Sequence, residues 1–272
     1  WDDHEVQNDY AGLVPGDSGP SVTNFAQRRA WAYQAFYEHM PVPAAALTRA
    51  IAGLKEGAEM RLYSQLRFGS LANLVLLDDR QYRDAQVCSR GGKLGSSNVA
   101  VSECAAWNDP ARTLLGAQQE RWADEALSRA GPGWTIIGQQ SLFGQRDYQP
   151  GPGQTLWNDG WDGYNAARAR FTESLQRHKV ANAVLLGGDV HENWVGHVKA
   201  DYNRPDSASI GVEFCGTSIT SRSAGNAKIA QTLAENPHFV FADSVGKGYG
   251  IAEFTPQRLT TTLRVVDDVT RQ

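Results

Sequence analysis

The stretch Val184-Leu185-Leu186-Gly187-Gly188-Asp189-Val190-His191 decides how this chain folds. Three apolar residues without a polar break read as a strand buried on both faces, the pattern of a parallel sheet. Two glycines end it, and a carboxylate and an imidazole follow at once. Residues two apart in extended chain share a face, so the spacing predicts that Asp189 and His191 project together from the strand's carboxyl end. Open α/β sheets bind ligands at that edge. Two readings fit the pair. One is a metal-ligand pair, a carboxylate oxygen beside a neutral imidazole nitrogen. The other is a turn with a capping Asp and a surface His.

Outward from this strand, helix and strand patterns alternate. Helices are predicted over 24–40, 112–130 and 164–178, and strands over 62–68, 71–77 and 134–138. The expected inner faces are Phe25, Trp31, Ala32, Ala35 and Phe36 in the first helix, Trp122, Ala126 and Leu127 in the second, and Ala167, Phe171 and Leu175 in the third. Strand–helix–strand recurrence with polar residues at the strand exits is an α/β pattern. Beyond His191 the sequence alternates over 194–198 and 209–214, a short helix ends near Glu235-Asn236-Pro237-His238, and 249–254 with 259–266 reads as a closing antiparallel pair. The stretch 13–20 is a Gly/Pro loop. The stretch 147–159, rich in Gly, Pro and Gln, reads as a surface loop over a sheet edge, with Trp157, Trp161 and Tyr164 packing beside it or facing a ring-bearing substrate. At the exit of 71–77, Asp79 with Arg80 or Arg83 reads as a structural ion pair. No repeat or linker divides the chain, so 1–272 is read as one domain.

The totals exclude several classes. Hydrophobic residues make up 41% of 272, enough for a substantial core and too many for a disordered chain. A net charge of −4 with no basic stripe argues against nucleic acid as a partner. No apolar run reaches the length of a membrane span, and the first residues show no signal-peptide pattern. Cys88 and Cys104 flank a polar, glycine-rich stretch and read either as a disulfide, which needs an oxidising compartment, or as two free thiols. Cys215 follows a strand-like Val212-Glu213-Phe214 and reads as a small buried hydrophobe.

The chain opens on Trp1-Asp2-Asp3-His4-Glu5-Val6-Gln7-Asn8-Asp9-Tyr10. Asp2, Asp3, His4, Glu5, Asn8 and Asp9 offer oxygen or nitrogen ligands within one short stretch, an expensive run to bury without a cation and too short for a solvated acidic tail. Metal or phosphate chemistry is the favoured reading, a polar loop the alternative.

Taken together, ordered motifs across the chain resemble the alkaline phosphatase D family of metallophosphoesterases. They are Trp1-Asp2-Asp3-His4-Glu5-Val6, Tyr37-Glu38-His39-Met40-Pro41, Leu77-Asp78-Asp79-Arg80-Gln81-Tyr82-Arg83 and Asp109-Pro110-Ala111-Arg112-Thr113-Leu114-Leu115-Gly116. Then come Gly138-Gln139-Gln140, Trp161-Asp162-Gly163-Tyr164, Gly188-Asp189-Val190-His191, Gly216-Thr217-Ser218-Ile219-Thr220-Ser221, Asn236-Pro237-His238 and Arg264-Val265-Val266-Asp267-Asp268. The resemblance implies an α/β fold, a two-sheet metallophosphoesterase sandwich flanked by helices. It implies hydrolysis of phosphate monoesters or diesters, Fe(III) and Ca(II) as cofactors, and export to the periplasm, cell wall or medium. Asp3, Asn8, Asp189 and His191 are the implied metal ligands, and His4 the implied general acid, oriented by Glu5 or Asp2. Lys247, Thr217 and Ser218 are implied phosphate contacts. His39, His178 and His197 are read as structural or surface residues. Asn8-Asp9 stands where the family often has two asparagines, and Lys247 where it commonly has arginine. The family also carries strands upstream of its Trp-Asp-Asp-His-Glu motif, with a bridging Asp and a Cys ligand. The chain is therefore expected to be truncated on its N-terminal side, with about half of the metal shell elsewhere. Two rival readings stand beside this one. Eight tryptophans and several paired carboxylates suit a carbohydrate-active protein, and a partial domain without catalysis needs no metal.

Overall fold

A computed structural model describes residues 1–16, 22–46, 59–204, 206–223 and 225–270. The 17–20 part of the predicted loop, and 21, 47–58, 205, 224 and 271–272 of the single predicted domain, lie outside these. Among the described residues the helices are α1 (Phe25–His39), α2 (Gly116–Ser128), α3 (Asn165–Arg177) and α4 (Asn226–Glu235). The strands are β1 (Ser64–Phe68), β2 (Ala72–Leu76), β3 (Asn98–Ala100), β4 (Trp134–Gly138), β5 (Thr155–Trp157) and β6 (Ala183–Gly187). They continue with β7 (Asn193–Lys199), β8 (Ser209–Cys215), β9 (Phe239–Asp243), β10 (Lys247–Phe254) and β11 (Leu259–Val266).

The apolar run at 184–186 lies at the middle of a mixed seven-stranded sheet ordered β1-β2-β4-β6-β8-β7-β9. β6 is parallel to both neighbours, Leu185 lying opposite Ile137 on one side and Glu213 on the other. Such a strand has no solvent face, which is why its sequence shows no alternation. β2, β4, β6 and β8 form the parallel centre, and β1, β7 and β9 add antiparallel edges. Two further ribbons stand apart, β10 with β11 and β3 with β5.

One face of the sheet is covered by α2 and α3. Val75, Ile137, Leu185 and Val198 from the strands meet Ala123, Ala126 and Leu127 of α2 and Ala167, Phe171 and Leu175 of α3. Full burial of each large side chain there is worth about 1.5–3 kcal/mol. Trp161 and Tyr164 belong to the same core, so their role is packing. A smaller cluster joins the chain's start to α1: Val6 and Tyr10 pack on Phe25 and Tyr33, and the Trp1 ring stacks on Tyr33 at 4.0 Å. Burial on α1 falls on Phe25, Arg29, Ala30 and Tyr33, whereas Trp31, expected inside, is exposed. The polar stretch 147–159 also differs from expectation. It forms β5, which pairs with β3, and ends in the buried Asn158 and Asp159. Cys88 and Cys104 form a disulfide beside this ribbon, and Cys215 is a buried free thiol donating to the Gly188 carbonyl at 3.2 Å. No helix of the described residues is long and apolar enough to cross a membrane.

Candidate metal centre

The parallel strands bring their exits to one edge: Asp78 and Asp79 after β2, Gln139 and Gln140 after β4, Gly188 and Asp189 after β6. Gly187 makes this convergence possible. A Cβ there would stand 2.1 Å from the Ser141 carbonyl oxygen, so only glycine lets the 139–141 loop close over β6. The Gly188 N–H then donates to the Gln140 carbonyl (2.8 Å), and the Gly216 N–H to that of Gly187 (2.9 Å). Past this point the backbone is no longer extended. Asp189 and His191 take φ of 69° and 60°, in the left-handed region. The extended alternation expected for the pair therefore does not hold; a compact bend presents them.

The acidic opening of the chain reaches the same place. Trp1, Val6 and Tyr10 anchor it on α1, and Asp2 and Asp3 between them reach the sheet edge. The Asp3 carbonyl accepts from Val6 (2.9 Å) and Gln7 (2.8 Å), closing one turn. Its carboxylate accepts from the Asp9 N–H at 2.7 Å. Asn8 lies in the following turn, pressed against Gly16, where any Cβ would overlap the Asn8 carbonyl. In this arrangement one carboxylate oxygen from each of Asp2, Asp3 and Asp189 lies within 4.8 Å of the others, and this is the metal-compatible His/Cys/Asp/Glu group found among the described residues. Nearly two hundred positions of sequence separate its two halves. Asp2, one of the six ligand candidates of the opening but assigned by the resemblance only to orienting His4, is a member of the triad. Its N–H donates to Glu5 Oε2 (2.9 Å) and its carboxylate faces Arg80, so the two residues expected to orient His4 are engaged with each other and with Arg80. His4 itself is exposed in the 3–6 turn, and His191 is half-buried.

Three carboxylates this close repel one another, and the electrostatics of the site records it. Burial, and then the charge of Asp2, push Asp189 well above the ordinary carboxylate range, although Arg80 stands beside it. Asp189 Oδ2 is shut off from solvent and has no hydrogen-bond partner. Arg80 is the cation within the cluster: Nε donates to Asp2 (2.7 Å), Nη1 to Asp159 (2.7 Å), and Nη2 lies 3.5 Å from Asp189 Oδ2. Burial alone would raise Asp159, but Arg80 and Arg83 together hold it below its usual range. Asp79, also buried, is pushed up to about 7 by desolvation against the opposing charge of Arg83. The ion pair expected between Asp79 and Arg80 or Arg83 is thus corrected, both guanidiniums pairing with Asp159. Nothing local in the sequence marks Asp159 as their partner, since it lies 76 positions beyond Arg83.

The residues expected at phosphate have partners in the structure. Lys247 Nζ donates to the His191 carbonyl (2.9 Å), Ser223 Oγ (2.7 Å) and the Ser244 carbonyl (3.2 Å). Thr217 Oγ1 also donates to the His191 carbonyl (3.2 Å), and Ser218 Oγ to that of Ser221 (2.9 Å). Lys247 and Thr217 therefore clamp the bend that carries Asp189 and His191. As expected, His39 and His197 are exposed, and His178 pairs with Asp124 at 2.9 Å.

A family model described as PhoD-like phosphatase matches residues 1–263. The chain belongs to the PhoD-like phosphatase family. Alkaline phosphatase D of Bacillus subtilis (strain 168) is 38% identical over 273 residues, 99% of this chain and 44% of that protein. A solved structure described as "Structure of PhoD" matches with a TM-score of 0.86 at 37% identity, covering 100% of this chain and 49% of that one. This family member thus spans about half the length of the relatives it matches.

Proposed function

We propose that this PhoD-like chain carries a metal centre for phosphoester hydrolysis, with Asp2, Asp3 and Asp189 as cation ligands. The observations that carry the reading are the approach of one carboxylate oxygen each from Asp2, Asp3 and Asp189 to within 4.8 Å, and Asp189 Oδ2 buried without a hydrogen bond. A cation relieves both the repulsion and the unmet acceptor. The donor set is oxygen-only, which suits a hard cation such as Ca(II), and family likeness adds Fe(III). Asn8 and His191, in turns adjoining the triad, are proposed as further ligands. When bound, such ions supply charge neutralisation at the phosphoryl oxygens and an activated water. The chain's own residues do the rest. Asp3 and Asp189 fix the ligand oxygens, Asp3 through the Asp9 N–H and Asp189 through the bend tied by Lys247 and Thr217. His4, exposed and next in sequence to Asp3, delivers a proton from its imidazole to the leaving alkoxide. Lys247 and Thr217, which donate to the His191 carbonyl, and Ser218 are the proposed phosphate contacts.

Monoesters and diesters are the proposed substrate class. Export is supported by the Cys88–Cys104 disulfide, which persists in oxidising compartments. We further propose that the β10–β11 ribbon belongs to a second sheet in the intact protein, since Tyr249, Ile251, Val265 and Val266 leave large apolar side chains exposed on it. The test is elemental analysis of the purified protein together with hydrolysis of p-nitrophenyl phosphate and bis(p-nitrophenyl) phosphate. Asp189→Asn is expected to abolish metal retention, and His4→Gln to keep the metal while slowing turnover by about 10²-fold or more. Metal retention unaffected by Asp189→Asn refutes the centre.

A further inference from the structure

The acidic triad contains a feature that a cation site does not require, a buried guanidinium. Arg80 is inaccessible, with a side chain only 1% exposed, and it emerges at the exit of β2, on neither of the segments that carry the triad. Its three nitrogens face three different carboxylates. Nε meets Asp2 from the chain's start (2.7 Å), Nη1 meets Asp159 beyond β5 (2.7 Å), and Nη2 faces Asp189 beyond β6 (3.5 Å). Its carbonyl accepts from the Gly12 N–H (3.0 Å), and the carbonyl of Gly12 accepts from Arg29 of α1 (2.9 Å). The backbone of Arg80 is therefore tied to the loop that follows the acidic opening.

The three contacts are not equivalent. Asp159 is already claimed by Arg83, whose Nη1 and Nη2 reach its carboxylate (2.8 Å) and carbonyl (2.6 Å), and by Gln86. Among the described residues, Asp2 and Asp189 have no second guanidinium partner. Arg80 Nη2 and Asp189 Oδ2, though neighbours, each lack a hydrogen bond while shut off from solvent. This buried donor and acceptor pair by charge at 3.5 Å without a hydrogen bond, which leaves both able to engage a further group.

We propose that Arg80 is a positioning residue of the metal centre: its planar fork holds Asp2 and Asp189, nearly two hundred positions apart in the sequence, close enough to share a cation. This role rests on the metal-centre reading above. A guanidinium presents fixed donors in one plane to several carboxylates at once, whereas an ammonium is a single point charge. Arg80→Lys therefore keeps the charge and removes the fork. Partners outside the ligand shell typically tune metal affinity by about 10–100-fold.

The experiment titrates calcium chloride into chelator-treated protein by calorimetry, comparing wild type, Arg80→Lys and Arg83→Lys. Arg83 touches Asp159 but neither Asp2 nor Asp189. The expected result is calcium binding weakened about tenfold or more by Arg80→Lys and by less than about threefold by Arg83→Lys. Wild-type protein that binds no calcium overturns the metal centre and this role with it. Wild type that binds, with Arg80→Lys binding equally well or Arg83→Lys losing as much, overturns the role of Arg80 and leaves the centre standing. If Arg80→Lys does not fold, the wild-type Nε–Hε resonance of Arg80 decides. It is expected to shift on saturation with calcium, and a resonance unmoved while calcium binds overturns the proposal.

Discussion

Breaking the Cys88–Cys104 disulfide is expected to lower stability by about 3 kcal/mol. The bridge closes a segment with a sequence separation of 16. For a loop of that length, the chain-entropy relation gives about 10 cal/mol/K, or about 3 kcal/mol at 25 °C. The native side adds a second contribution. Ser96 and Ser97 lie inside the closed segment; the Ser96 N–H donates to Asp9 Oδ2 (3.0 Å) and the Ser97 N–H to the buried Asn158 (2.6 Å). The loop is thus bonded to both flanks of the acidic site, and loosening it removes support from Asp9, whose own N–H holds Asp3. Cys104 also packs with Val99, Trp107 and Leu156, so replacement by Ala leaves a small void. In a chain of this size, about 3 kcal/mol corresponds to a fall in melting temperature of roughly 6–12 °C. Differential scanning calorimetry of the oxidised wild type and of Cys88→Ala/Cys104→Ala measures it, and wild type in strong reductant should melt with the double variant. A double variant melting within about 1 °C of the oxidised protein refutes the loop-closure reasoning.

Three further outcomes are expected. His238 is pushed down to about 4 by burial, its ring tilted against Phe239 with centroids 4.4 Å apart and bonded to the Gln145 carbonyl. The unfolded chain therefore binds the extra proton between about pH 6.5 and 4, and stability falls as pH drops through that window, by about 2–3 kcal/mol; urea unfolding at stepped pH checks it, and His238→Gln should flatten the slope. Glu213, pushed up to about 7 by burial despite accepting from the Phe143 and Gly144 amides, acts in the opposite sense: its contribution is complete below its unfolded pKa and is lost as pH rises through about 7. A carboxyl carbon titrating near 4.5 by NMR at Glu213 contradicts this. Gly187→Ala forces a methyl against the Ser141 carbonyl and should cost about 2–3 kcal/mol in urea unfolding; an Ala variant as stable as wild type would show that the 139–141 loop is free to yield.

The sequence made the sheet's centre legible because burial on both faces erases alternation, and Val184 to Leu186 show that erasure plainly. The third helix was equally open to reading, since Ala167, Phe171 and Leu175 fall on one helical stripe and face the sheet. Trp31 shows the limit. Its size and spacing suggested the core, yet Tyr33 takes the inner position because the Trp1 ring stacks on it from outside the helix. Local periodicity carries no information about which distant residue arrives to cover a face. The candidate site divides in the same way. Asp3 and Asp189 stand in short motifs whose residue types suffice to suggest metal chemistry. Asp159 ends a Gly/Pro-rich stretch with no apolar period, so its burial follows only from the β3–β5 pairing. Arg80 read as one half of a local ion pair, because a mixed-charge strand end shows its nearest neighbours and conceals partners 78 and 79 positions away.

The position of Asp189 follows from packing more than from its place after a strand. Gly187 admits the Ser141 carbonyl to contact distance, which brings the Gln140 carbonyl within reach of the Gly188 N–H. With Gly188 held, the next residues must turn, and Asp189 and His191 accept left-handed conformations that cost non-glycine residues free energy. Lys247 and Thr217 stabilise the turn by donating to the His191 carbonyl. The bend brings Asp189 beside Arg80 and the Asp2–Asp3 opening. Strained backbone that survives at a point of carboxylate convergence is better explained by the site it builds than by stability, because relaxing it separates the very charges that repel. Replacing Asp189 by Gly should therefore relieve both strain and repulsion, raising the stability of metal-free protein while eliminating metal retention; a metal-free Asp189→Gly variant less stable than wild type would place the origin of the bend elsewhere.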